Sequence, residues 1–153
     1  GADYPDDSRR PLTPKGADRF RECVSGLAAA GVQIDEILTS PYVRARQTAE
    51  LLAEGLEPRP KIINMHALAV DGSVVDVVGT LARHAKRKAL ALVGHEPSMG
   101  VLAARLIGQR RLLAFKKGAV ACIEVDALPV TRPGTLQWFL PPRLLRQLAG
   151  KKG

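Results

Sequence analysis

An arginine in the first helical turn after an apolar strand can grip an anion, and a histidine at a strand tip stands where function is often carried; this chain has one stretch of each kind. The first runs Ile37-Leu38-Thr39-Ser40-Pro41-Tyr42-Val43-Arg44. Ile34, Ile37 and Leu38 supply the apolar run of a buried strand. Ser40 suits an N-cap, and Pro41 suits the first helical position, where a missing N–H costs nothing. The free N–H groups and the positive end of the helix dipole favour an anion beyond the strand. Arg44, in the first helical turn, can grip such an anion with a planar fork that lysine lacks. An ordinary capped helix with surface arginines is written the same way, so this stretch alone leaves both readings open.

The second stretch is Leu92-Val93-Gly94-His95-Glu96-Pro97. His95 stands at the tip of an apolar strand, just before a proline-started helix, in the kind of loop that carries function. His66, in a loop after a short strand, and His84, in a basic helix end, read as structural or solvated. The second histidine of a His-Glu-x-x-His motif is missing after His95, so no metal site is expected. Arg46 lies about 200° round the helix from Arg44 and reads as a surface or salt-bridge residue. Gln47 and Thr48 read as support for a pocket wall.

The elements that must position these residues follow from periodicity and punctuation. Thr13 and Pro14 open a helix whose apolar face is Phe20, Cys23, Val24 and Leu27, closed by Gly31. A strand at about 34–39 feeds a helix over 41–54, with Gly55 as its C′ residue. A short strand near Ile62 and Ile63 follows, then a helix opened by Gly72-Ser73 and running to about Lys86. Ala89–Val93 is a continuous apolar run of the kind buried on both sheet faces. A helix from Pro97-Ser98 to about Ile107 precedes Gly108. Segments 119–125 and 135–140 read as an antiparallel pair, and Pro141-Pro142 starts a last helix through Leu148. Residues 1–12 read as a surface loop and Lys151–Gly153 as a frayed tail. This alternation implies an α/β layered domain with a mostly parallel sheet, helices on both faces and an antiparallel pair near the C-terminus. Ligands of such sheets sit beyond the carboxyl ends of the strands, which is where Ser40 and His95 fall.

At 153 residues, 46% hydrophobic and 25% charged, the chain reads as one globular domain spanning 1–153. Cys23 and Cys122 lie in apolar contexts and read as reduced core thiols of a cytoplasmic protein. No apolar run nears the roughly 20 residues of a membrane span, and no signal-peptide pattern opens the chain. Lys and Arg exceed Asp and Glu by 23 − 15 = 8, which invites a nucleic-acid reading. Aromatics are only 4%, and no helix-turn-helix, RRM or zinc-finger pattern appears, so no nucleic-acid partner is expected. The basic runs at 83–88 and 110–117 read as helix ends and strand flanks, and the excess charge can steer anionic substrates.

Ser40-Pro41-x-x-Arg44-Ala45-x-Gln47-Thr48-Ala49 has two companions in order: Arg10-Pro11-Leu12-Thr13-Pro14-Lys15-Gly16 upstream and the His95 stretch downstream. With Trp138-Phe139-Leu140-Pro141-Pro142-Arg143-Leu144-Leu145, they resemble the histidine phosphatase superfamily, in its small bacterial SixA-type phosphohistidine phosphatase branch. The resemblance runs from about Arg10 to Leu145 and implies a phosphoglycerate-mutase-like fold. It also implies phosphoryl transfer through a phosphohistidine, with no metal or other cofactor. Arg44 would clamp two phosphoryl oxygens, beside Ser40 at the head of the helix. His95 would donate to the oxygens as charge builds, and Arg10 would be the loop arginine near the pocket mouth, a place Arg9 could equally take. Glu96 and Asp71 are weak candidates for a general acid. That leans the substrate towards a phosphorylated histidine protein rather than a small phosphoester.

One departure matters. The family opens with an interior strand ending in Arg-His-Gly, whose histidine is the nucleophile, and no Arg-His pair stands near the start here. Gly1 is either the glycine after that histidine or unrelated to it. An unseen N-terminal segment of roughly ten residues is the favoured expectation over natural loss, because a missing interior strand exposes two unpaired sheet edges. The complete protein is then expected to be a phosphatase, and these 153 residues to bind phosphate without forming a phosphoenzyme. The competing expectations are a non-catalytic phosphoanion-binding regulatory domain and, more remotely, a basic nucleic-acid-binding module.

Overall fold

The computed structural model describes residues 6–150. Gly1 and the Lys151–Gly153 tail lie outside the described residues.

Helix α1 (Pro14–Ala29) starts as its sequence dictates, with Thr13 accepting from Gly16 N and Pro14 in the first turn. Gly31 follows its end at φ 84°, the left-handed conformation that glycine adopts without a Cβ penalty. Strands β1 (Glu36–Thr39), β2 (Lys61–Asn64) and β3 (Leu90–Val93) form a parallel sheet in the order β2-β1-β3. Strands β4 (Val120–Glu124) and β5 (Thr135–Leu140) form a separate antiparallel pair with an irregularity at Cys122/Ile123. The expected α/β architecture is present.

Strand alternation sorts the core into two layers. Ile37, Ile62, Ala91 and Val93 pack with α1, with α2 (Val43–Glu54) and with Leu145 of α5 (Pro142–Ala149). Leu38, Ile63, Leu90 and Leu92 point the other way, onto α3 (Val74–Thr80) and α4 (Ser98–Leu106). Helices therefore cover both faces. Gly26 lets α1 and α5 meet backbone to backbone: a Cβ there would run into the Leu145 carbonyl. Among the described residues, no helix is long and apolar enough to cross a membrane.

Four local expectations need correction. Ser40 does not cap α2. That helix starts at Val43 with Tyr42 in the cap position, and the Ser40 oxygen is used elsewhere. The helix after Ser73 does not run to Lys86; it ends at Thr80 and tightens into a 3-10 turn over Leu81–His84. Strand β3 is half-buried at every position rather than enclosed, because among the described residues only β1 pairs with it. In addition, Gly55 is the C-cap of α2 at φ −89° and not a left-handed C′ residue.

Both thiols are free, as expected, with Cys23 buried and Cys122 partly so. Burial pushes each thiol's pKa up, away from the reactive thiolate.

Candidate functional site

The carboxyl ends of β1 and β3 lie side by side, with Thr39 level with Val93 and the Ser40 N–H bonded to the Val93 carbonyl (2.9 Å). That register brings residues 40 and 95 together. Ser40 is fully buried, and its hydroxyl accepts from Tyr42 N (3.1 Å) and meets His95 Nε2 at 2.8 Å. A hydroxyl has one proton to give and two lone pairs. With Tyr42 N–H on one lone pair, the Ser40 proton is free to go to Nε2. When that proton goes to Nε2, the neutral imidazole carries its own proton on Nδ1, the nitrogen left for an anion. Ser40, expected to bind phosphate at the head of the helix, has its hydroxyl engaged by Tyr42 N and by His95.

His95 is held on its flank by the Tyr42 ring, whose centroid is 5.0 Å away at a tilt of 57°. The Arg44 guanidinium carbon lies 5.4 Å from the same tyrosine centroid, so one aromatic ring supports both polar groups. Burial first, and the Arg44 charge second, lower the His95 pKa below its ordinary 6.5, while Asp7 opposes them. The ring is therefore held towards its neutral form.

Arg44 stands in the first turn of α2, with 22% of its side chain exposed. Its Nη1 donates to the Asp7 carbonyl (3.0 Å) and its Nη2 to Asp7 Oδ2 (3.2 Å). Arg10 Nη2 lies 3.3 Å from the other carboxylate oxygen, Oδ1. Arg10, rather than Arg9, is thus the loop arginine that converges with Arg44. Gln47 fixes this loop from α2, its Oε1 accepting from Leu12 N (2.8 Å). That is the wall-supporting role expected of it. Thr48 instead bonds back to the Arg44 carbonyl within the helix (2.8 Å). Arg46 donates to Asn64 and pairs with Glu50, a surface role as expected.

The remaining candidates fall elsewhere. Glu96 accepts from Gly100 N (2.9 Å) and Phe115 N (3.4 Å), which ties the start of α4 to the 113–116 loop and occupies both its oxygens. Asp71 is exposed in the turn before α3, on a different element from Arg44 and His95. His66 is exposed. His84 Nδ1 bonds to Glu36 Oε1 at 2.7 Å, a structural contact at the opposite, amino end of β1. A shallow groove of about 590 Å³, lined by Ile107, Gln109, Arg111 and Leu136 among others, opens at the far end of α4 from His95. Two contributors went unseen in the sequence: Tyr42, one of the unassigned positions inside the Ser-Pro-x-x-Arg pattern, and Asp7. The only sequence signal for Asp7 is an acidic residue three positions before Arg10.

Comparison with known proteins bears on the fold and the family. The family model of the histidine phosphatase superfamily (branch 1) matches residues 6–69, which include Arg10, Ser40 and Arg44. The phosphohistidine phosphatase SixA of Escherichia coli (strain K12) is 29% identical over 143 residues, 92% of this chain and 86% of that protein. An uncharacterized protein of Picosynechococcus sp. is 43% identical over 102 residues, 65% of this chain and 61% of that protein's length. A solved structure of the protein histidine phosphatase SixA complexed with tungstate superposes at a TM-score of 0.83 and 29% identity. It covers 92% of this chain and 90% of its own. A putative SixA from Agrobacterium tumefaciens shares the fold at a TM-score of 0.73 and 20% identity, covering 89% and 86%. The family-model match over residues 6–69 and the 29% identical SixA protein and structure show a chain similar to the histidine phosphatase superfamily, in its SixA-type branch.

Proposed function

We propose that the complete protein is a metal-independent phosphohistidine phosphatase working through a phosphohistidine intermediate, with residues 1–153 acting as one domain. The observation that carries this reading is the meeting of Arg44, Arg10 and His95 around one mouth beyond the carboxyl ends of β1 and β3. The two guanidinium groups take the non-bridging phosphoryl oxygens. His95 gives its Nδ1 proton as a hydrogen bond to the oxygen on which charge grows, held in that tautomer by Ser40. An imidazole nitrogen attacks phosphorus as the bond to the leaving group breaks; water then displaces it and phosphate departs. Catalysis of this kind is mostly positioning and electrostatics.

The attacking imidazole is assigned to an Arg-His-Gly strand outside these 153 residues. Among the described residues the outer edge of β3 is unpaired and its apolar residues are half-buried, which supports a place for it. The substrate is a phosphorylated histidine of a protein. Of the two carboxyls considered as acids, Glu96 is tied to backbone donors and Asp71 stands on another element. A leaving imidazole needs a strong acid less than an alkoxide does. The tungstate complex of the SixA relative supports an oxyanion site in this fold.

The test is phosphate release from a phosphohistidine protein by the complete enzyme. EDTA should leave turnover unchanged, and His95→Ala should cut it by roughly a hundredfold or more. Loss of turnover on chelation overturns the mechanism. A second reading, a phosphoanion-binding regulatory domain without chemistry, draws support from His95 Nε2 being engaged by Ser40 while His66 and His84 lie elsewhere. An upstream Arg-His-Gly strand in the reading frame decides against it.

A further inference from the structure

The phosphoryl oxygens need Arg44 and Arg10, yet in this structure both guanidinium groups already face an anion. Asp7 presents Oδ2 to Arg44 and Oδ1 to Arg10, and its carbonyl takes the second terminal nitrogen of Arg44. Two oxygens of one group bridging two arginines is the arrangement a phosphoryl group would adopt there.

The position is built. Asp6 Oδ1 accepts from Ser8 N (3.0 Å) and Ser8 Oγ (2.6 Å), closing a short 3-10 turn over Asp7–Arg9. Arg10 N bonds to the Asp7 carbonyl (3.2 Å), and Gln47 anchors the loop at Leu12. Asp7 therefore sits at high effective concentration beside the arginines while remaining 53% exposed, so nothing encloses it.

We propose that Asp7 is the site's own competing anion, a tethered carboxylate that holds Arg44 and Arg10 and must yield to an incoming phosphoryl group. Its charge is also felt at His95, opposite in sign to that of Arg44, which places it on the same mouth. Both terminal nitrogens of Arg44 are engaged by Asp7, so an anion using that fork displaces it. The consequence is a reduced apparent affinity, because the binding-competent state is only a fraction of the population. A partly exposed pair of this kind corresponds to a factor of about two to five. The inference rests on the proposed phosphate site.

The experiment separates the two. Inorganic phosphate is titrated into the 153-residue chain, with the His95 ring resonances as the readout and urea unfolding to confirm that each variant is folded. Asp7→Asn and Asp7→Ala, which keep the backbone carbonyl, should each tighten phosphate binding about two- to fivefold. Arg44→Gln should abolish binding, and Asp7→Asn should restore none of it in that background. Unchanged or weaker binding in both Asp7 variants, with Arg44→Gln still inactive, overturns the competing-anion role and leaves the site intact. Undiminished binding in Arg44→Gln overturns the site itself.

Discussion

Ser40→Ala tests whether a buried hydroxyl sets the working form of His95. The substitution removes one oxygen and leaves two partners unpaired, Tyr42 N–H and His95 Nε2. Each neutral hydrogen bond contributes about 0.5–1.5 kcal/mol net, so the loss lies between about 1 and 3 kcal/mol. Tyr42 and His95 are both only half-buried and can recover water, which places the expected destabilisation in the lower half, about 1–2 kcal/mol. Urea unfolding measures it directly.

The effect on the site is separate. Without Ser40 the imidazole can turn, and nothing selects the Nδ1–H tautomer. One well-aimed neutral donor is then lost to an anion, so phosphate should bind about three- to tenfold more weakly. In the complete enzyme the same donor meets growing charge, so kcat should fall more than KM rises. Nitrogen-15 ring shifts of His95 report the tautomer. An Nε2–H ring in the parent protein, or unchanged phosphate affinity in Ser40→Ala, would refute the reasoning.

Three further outcomes follow from the same contacts. The His95 pKa is lowered in the folded chain, so its contribution to stability is complete above the unfolded value near 6.5 and is lost as pH falls below it. A bound dianion raises that pKa again, so sulfate should bind with proton uptake and more tightly as pH drops within about pH 5 to 8; a pH-independent sulfate affinity, or one unaltered by His95→Gln, contradicts this. Gly26→Ala should destabilise by about 1–3 kcal/mol net despite the helical preference of alanine, because its Cβ meets the Leu145 carbonyl between α1 and α5; equal unfolding midpoints would show that α5 yields freely. His84→Ala strips Glu36, whose side chain is 4% exposed, of its 2.7 Å partner and leaves only Arg87 at 3.6 Å. A loss of about 1–3 kcal/mol in denaturant unfolding is expected, with phosphate affinity unchanged because the pair lies at the other end of β1.

The elements and their layers were legible because they rest on local signals: short apolar runs for β1 to β3, Thr13-Pro14 at the start of α1, glycines at 31 and 108 beyond helix ends. The errors sit where a local signal met a distant partner. Ser40-Pro41 has the wording of a helix start, yet the hydroxyl goes to a histidine 55 positions away and the helix begins three residues later. Leu90–Val93 has the wording of an enclosed strand, but enclosure depends on which strands flank it, and among the described residues only β1 does. Arg44 and His95 could be placed together because strand ends of a parallel sheet share one side. No such rule reaches Asp7. A polar loop has no period to reveal which of its charges will be recruited, and Asp6 and Asp7 read simply as solvated surface. Only when Gln47 draws Leu12 against α2 does the loop bring that carboxylate onto Arg44. The sequence thus identifies the groups that would attract phosphate. The fold is needed to identify the group that stands in its way.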